Sequence, residues 1–112
     1  MTYREDDPTI LKIKGESSFD GQTDEEKKQQ RKTYIKRVSL AILTVISKHG
    51  HAKLRSVGAA SLSNAVKSSI IAKGEGAKKG LDLVTEMSFD NADFDGSVKT
   101  AIMIKIVERN GA

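Results

Sequence analysis

The apolar residues alternate first with period two. In TILKIK (residues 9–14), Leu11 and Ile13 fall on one side and Lys12 and Lys14 on the other, which predicts a short strand with one buried face. Residues 1–8 are polar, end in Pro8 and read as a frayed tail. GESSFDGQ (15–22) has the glycines and polar turn-formers of a loop. TDEE (23–26) then reads as a capping box, with Thr23 placed to accept from the amide of Glu26 and Glu26 to reach back. Asp24, Glu25 and Glu26 suit the positive end of a helix dipole. That helix is predicted to run to His49 and to stop at a left-handed Gly50.

Its two halves differ. The first, KKQQRKTYIKR, is basic and exposed: Lys28, Lys32 and Lys36 recur at i, i+4, with Lys27 and Arg31 beside them. The second, VSLAILTVIS (38–47), is apolar nearly all round. Val38, Ala41, Ile42, Val45 and Ile46 make one stripe, while Leu40 and Leu43 point elsewhere. A small domain cannot easily cover both sides of such a helix. The expectation is a second buried face containing Leu40 and Leu43, most simply a homodimer contact.

HAKLRSV (51–57) reads as a strand with Ala52, Leu54 and Ser56 opposite Lys53, Arg55 and Val57. A second helix is predicted over 61–73, with Leu62, Ala65, Val66, Ser69 and Ile70 inward and Asn64, Lys67 and Ser68 outward. KGEGAKKG (73–80) closes it. LDLVTEMSF (81–89) and VKTAIMIKIVE (98–108) are two further strands, joined through a turn signal at Asp95-Gly96. The order β-α-β-α-β-β predicts an α/β (α+β) two-layer sandwich: one four-stranded mixed sheet with both helices on one face, in a single domain over 9–109.

Composition sharpens this picture where charge is concerned. The 112 residues carry a net charge of +4, but the charge is segregated. Residues 24–80 hold 13 Lys or Arg against 4 Asp or Glu, a local balance of +9; the remainder sums to −5. A positive block of this kind is the electrostatic footprint of a polyanion binder. There is no cysteine, so disulfides and thiolate metal sites are excluded. No apolar run approaches the roughly 20 residues of a membrane span, and the N-terminus lacks the pattern of a secretory signal. A cytoplasmic location is expected, with no membrane partner.

Catalytic patterns are missing from the sequence. RSVGAASLSNAVK (55–67) resembles a phosphate-cradling turn in its small residues but fits neither G-x-x-x-x-G-K-[ST] nor G-x-G-x-x-G. It reads as a tight corner, with amides near Ser61 to Ser63 open to a single phosphate. No serine lies in G-x-S-x-G. His49 and His51 flank Gly50 without a third ligand, and Asp90, Asp93 and Asp95 read as a solvated acidic turn. No enzymatic activity, cofactor, metal or small-molecule substrate is expected. The aromatic residues Tyr3, Phe19, Tyr34, Phe89 and Phe94 form no RRM-type stacking sheet, so phosphate contacts should dominate any nucleic-acid binding.

From residue 50 onward the sequence resembles a known family. GHAKLRSVGAASLSNAVKSSIIAKG, GLDLVTEMSF and FDGSVKTAIMIKIVE are similar to the central segment and last two strands of the stage V sporulation protein S family. Asp95, Gly96, Lys99, Thr100, Ala101 and Ile102 are the closest match, and ILKIK (10–14) looks like the family's first strand. The family is similar in fold to the Alba superfamily, so the resemblance implies a dimeric DNA- or RNA-binding protein of low sequence specificity. A basic extension is inserted at about 15–37, for which the family implies no role. The hairpin corresponding to Alba's basic DNA-reaching arm is acidic here, which favours RNA slightly, since RNA binding through a basic surface needs no such arm. The surface expected to contact nucleic acid comprises Lys27, Lys28, Arg31, Lys32, Lys36 and Arg37, extended by Lys53, Arg55 and Lys67. The alternative is a non-catalytic interaction module that oligomerises through its apolar helix.

Overall fold

The computed structural model of the chain describes residues 7–15, 19–94 and 96–109. Among them the elements are β1 (Ile10–Lys12), α1 (Asp24–His49), β2 (His51–Ser56), α2 (Ala59–Lys78), β3 (Leu83–Phe94) and β4 (Ser97–Glu108). The sheet order is β1-β2-β4-β3; β1 runs parallel to β2, and β4 is antiparallel to both of its neighbours. This is the mixed four-stranded sheet with two helices that the alternation of periods predicts.

Helix α1 starts and stops where its caps dictate. The Glu26 amide donates to Thr23 Oγ1 (3.1 Å), and Glu26 Oε2 accepts from the Gln22 amide (2.9 Å), one residue further back than a simple capping box requires. At the other end Gly50 takes φ 85° and donates its amide to the Ile46 carbonyl (2.8 Å). A side chain at Gly50 would be strained by this left-handed backbone. Strand β2 begins at the next residue.

The register places Leu11, Leu54 and Ile104 in one row and Ala52 and Ile106 in the next, all on the helix side of the sheet. Ile42, Leu54, Ile104 and Ile106 are almost wholly buried there. Each such side chain stabilises the fold by about 1.5–3 kcal/mol relative to exposure. Leu43 joins the same core at 9% exposed, whereas Leu40 stands 58% exposed. The two do not share an unpartnered face. Leu43, with Ile42 and Ile46, is covered from within the chain, and Leu40 stays open to solvent.

Helix α2 corrects the sequence reading more deeply. Its buried side chains are Ser61, Asn64, Ala65, Ser68, Ser69, Ala72 and Gly76. Asn64 and Ser68, expected to face solvent, face inward; Ile70, expected inward, is 63% exposed. Small side chains let α2 approach its neighbours closely, and the polar ones are satisfied where they are buried. Ser61 Oγ donates to the Ile13 carbonyl (2.6 Å) and Asn64 Nδ2 to the Lys14 carbonyl (2.9 Å), both at the end of β1. Ser68 Oγ and Ser69 Oγ donate to the carbonyls of Asn64 and Ala65 one turn back (2.8 Å each). The helix also runs on through Gly74 and Gly76 to Lys78, past the expected stop. A Cβ on Gly76 would lie 2.9 Å from Leu83 Cδ1, so glycine is what admits Leu83 to the core.

Strands β3 and β4 pair from Leu83–Glu108 to Phe94–Ser97, while β2 accompanies β4 only between Ile102 and Val107. Beyond that stretch the hairpin continues as a two-stranded ribbon. The Phe94–Ser97 pair leaves a two-residue connection in which Gly96 has φ 83°, as the Asp95-Gly96 signal predicts. Asp95 itself lies outside the described residues, as does the tail over residues 1–6.

Candidate nucleic-acid interface

The helical repeat of α1 puts Lys28, Arg31, Lys32, Ile35 and Lys36 along one side. On α2, Lys67, outward as expected, stands opposite them with Ile70 and Ile71. These eight side chains line a single groove between the helices. Five are cationic and none is a carboxylate. The floor is apolar: Ile35 is buried, and Ile70 and Ile71 remain open to solvent at 63% and 39%. Lys28, Lys32 and Lys36 recur about every 6 Å along the helix axis. Ammonium groups so arranged concentrate positive potential along one side of the groove.

The other four expected contact residues lie apart from this groove. Lys27, half-buried, is not part of its lining. Arg37 points into a second hollow on α1, shared with Lys14, Phe19, Asp20, Glu26 and Tyr34. That hollow is a loop anchor of mixed charge. The Lys14 amide donates to Tyr34 Oη (2.8 Å), Phe19 meets Tyr34 edge-on at 5.8 Å, and Gln30 accepts from the Gly21 amide (2.9 Å) and donates to Asp20 (2.7 Å). Its aromatic rings are committed to holding the loop.

Lys53 and Arg55 alternate with core residues along β2 and so lie on the sheet face away from the helices. Arg55 is only 8% exposed, so the strand position expected to offer a surface cation offers little of it. Lys53 sits directly across from Lys105, which in turn faces Glu86 on β3. Beside them, burial and then the charges of Lys105 and Lys53 hold the His51 imidazole below its ordinary pKa of 6.5, against a weaker pull from Asp7. This second basic patch is interrupted by Glu86 and Asp90. Lys105 went unnoticed in the sequence because its cross-strand partners lie far away along the chain.

The corner at RSVGAASLSNAVK is a clasp. Gly58 caps α2 with φ 93°, and the Ser61 and Asn64 side chains are spent on β1. Among the described residues no three His, Asp or Glu side chains gather as metal ligands. No helix among them is long and apolar enough to cross a membrane.

Comparison with known families agrees with this architecture. The family model described as Stage V sporulation protein S (SpoVS) matches residues 28–109, beginning inside α1 and running through the end of β4. An Alba-like placement is consistent with that family and with the β-α-β-α-β-β order. The match takes in the groove, the clasp and the hairpin over well more than half the chain, and the protein therefore belongs to the SpoVS family.

Proposed function

We propose that this protein binds nucleic acid with low sequence specificity, through the groove between α1 and α2, and acts as a homodimer. The carrying observation is the convergence of Lys28, Arg31, Lys32, Lys36 and Lys67 on one groove without a carboxylate in its lining. Contacts from lysine and arginine to phosphate position a strand without reading bases. RNA is favoured over duplex DNA because the sequence FDNADFDG at the hairpin's end is acidic, which disfavours reaching along a groove of phosphates. The reading involves no catalytic step and no cofactor.

The dimer contact moves from α1 to the hairpin. Register places Met87, Phe89 and Val98 on one face of the β3–β4 ribbon, continuous with the half-buried Ile102, and all three are strongly exposed. An apolar strip extending from the core onto an unsupported ribbon fits a second copy better than Leu40 alone. The same strip favours a second reading, an interaction module that assembles through the hairpin and has no nucleic-acid ligand.

Gel shifts with single-stranded RNA, structured RNA and duplex DNA, each at low and moderate salt, separate the two. The proposal expects binding that weakens steeply with salt and is lost on joint reversal of Lys28, Arg31 and Lys32 to Glu. Absence of any shift at micromolar protein leaves only the interaction module.

A further inference from the structure

The groove is not uniformly polar, and its apolar floor restricts what fits it. Ile70 and Ile71 present open hydrocarbon between the α1 cations and Lys67. A duplex offers phosphate and sugar to such a surface and keeps its bases stacked inside. Seating its backbone on two isoleucines removes water from phosphates with nothing gained in return. A single strand presents both halves of the complement: phosphates for the cations and the apolar faces of unstacked bases for the floor. The spacing of Lys28, Lys32 and Lys36 along the helix is also close to the separation of phosphates in an extended strand.

From this arrangement we infer that the groove selects single-stranded nucleic acid over duplex, with Ile70 and Ile71 as the contacts that discriminate. The inference rests on the nucleic-acid reading above and specifies its substrate. An acidic amphipathic helix is the competing occupant. It anchors through apolar residues at i, i+3, i+4 and i+7, whereas here two open isoleucines on one turn of α2 stand across from four cations of α1, with Lys67 beside them. The balance favours a polyanion.

Fluorescence anisotropy tests the inference with labelled oligouridine and oligothymidine of about 12 nucleotides, matched RNA and DNA duplexes, and an acidic amphipathic peptide. The single strands should bind more tightly than either duplex at equal salt, and comparison of the two single strands tells RNA from DNA. The joint substitution Ile70→Ser, Ile71→Ser should weaken single-strand binding about fivefold while leaving duplex binding nearly unchanged. Circular dichroism checks the fold of the variant. Because Ile70 is the more exposed of the two, Ile70→Ser alone carries the test if the pair perturbs folding. Duplex binding as tight as single-strand binding, or an equal response of both to the substitution, overturns the selectivity and leaves the nucleic-acid reading standing. Failure of every nucleic acid to bind overturns both, and tight binding of the peptide alone would reassign the groove to a protein partner.

Discussion

The side-chain amide of Asn64 donates to the backbone carbonyl of Lys14 at 2.9 Å, joining α2 to the end of β1 across 50 residues of chain. With Ser61 on the Ile13 carbonyl, it replaces the ladder bonds that a three-residue edge strand cannot provide. Asn64→Ala removes this part-buried bond, whose donor residue is only 2% exposed. It should lower stability by about 1–3 kcal/mol, read as a shift in urea midpoint with unchanged slope.

Two glycines in α2 make opposite predictions. Gly74 has open space around a would-be Cβ, whereas one at Gly76 meets Leu83 at 2.9 Å. Gly74→Ala should stabilise by about 0.5–1 kcal/mol through helix propensity. Gly76→Ala should destabilise by about 1–3 kcal/mol through overpacking. Thermal melts of the two variants against the parent protein decide whether α2 really presses this closely on β3.

Acidification should weaken the fold near neutrality because of His51. Burial, assisted by Lys105 and Lys53, lowers its folded pKa below 6.5. Above pH 6.5 both folded and unfolded forms are neutral and the residue has no effect. As pH falls from 6.5 toward the folded pKa, the unfolded chain takes up a proton that the folded chain refuses, so stability declines over that window. His51→Gln should flatten this part of the stability–pH curve. An unchanged slope in the variant would assign the effect elsewhere.

Salt dependence reports how many groove cations touch phosphate. Five contacts on a single strand give a slope of log K against log salt of about −3.5. Lys28→Glu with Lys32→Glu should make that slope shallower by about 1.4 and weaken binding by about tenfold or more. Lys53→Glu, on the far face of the sheet, should leave both quantities nearly unaltered. A larger effect from Lys53 than from the groove pair would move the interface to the open sheet face.

Self-association separates the hairpin from α1. Phe89 is 81% exposed on the ribbon, so Phe89→Glu should keep the monomer folded and shift sedimentation from dimer to monomer. Leu40→Glu should not. The reverse outcome would restore the helix as the contact.

Much of this architecture was legible in the linear pattern, because its causes are local. Thr23 and Glu26 cap α1, Gly50 ends it, and the turn at Gly96 closes the hairpin between Phe94 and Ser97, each through contacts within a few residues. The two-residue period of a strand likewise puts Ala52 with Leu54 on one face of β2, and Ile104 with Ile106 on one face of β4, whatever lies above them. The cation row Lys28, Lys32 and Lys36 is a property of helical spacing alone.

What lies beside that row is decided only when the chain closes. Hydropathy placed Ala65 and Ser69 inward correctly but misassigned Asn64, Ser68 and Ile70, because buried polar side chains such as Asn64 and Ser68 are favourable only with a carbonyl within reach. The partners of Ser61 and Asn64 are the carbonyls of Ile13 and Lys14, about half the chain away, and no pattern within α2 announces them. Once those bonds set the rotation of the helix, Ile70 and Ile71 turn outward and Lys67 meets the cations of α1. The same closure buries Leu43 and Arg55. The sequence determined the elements and their charge; long-range hydrogen bonding to small polar residues decided which faces became core and which became the groove.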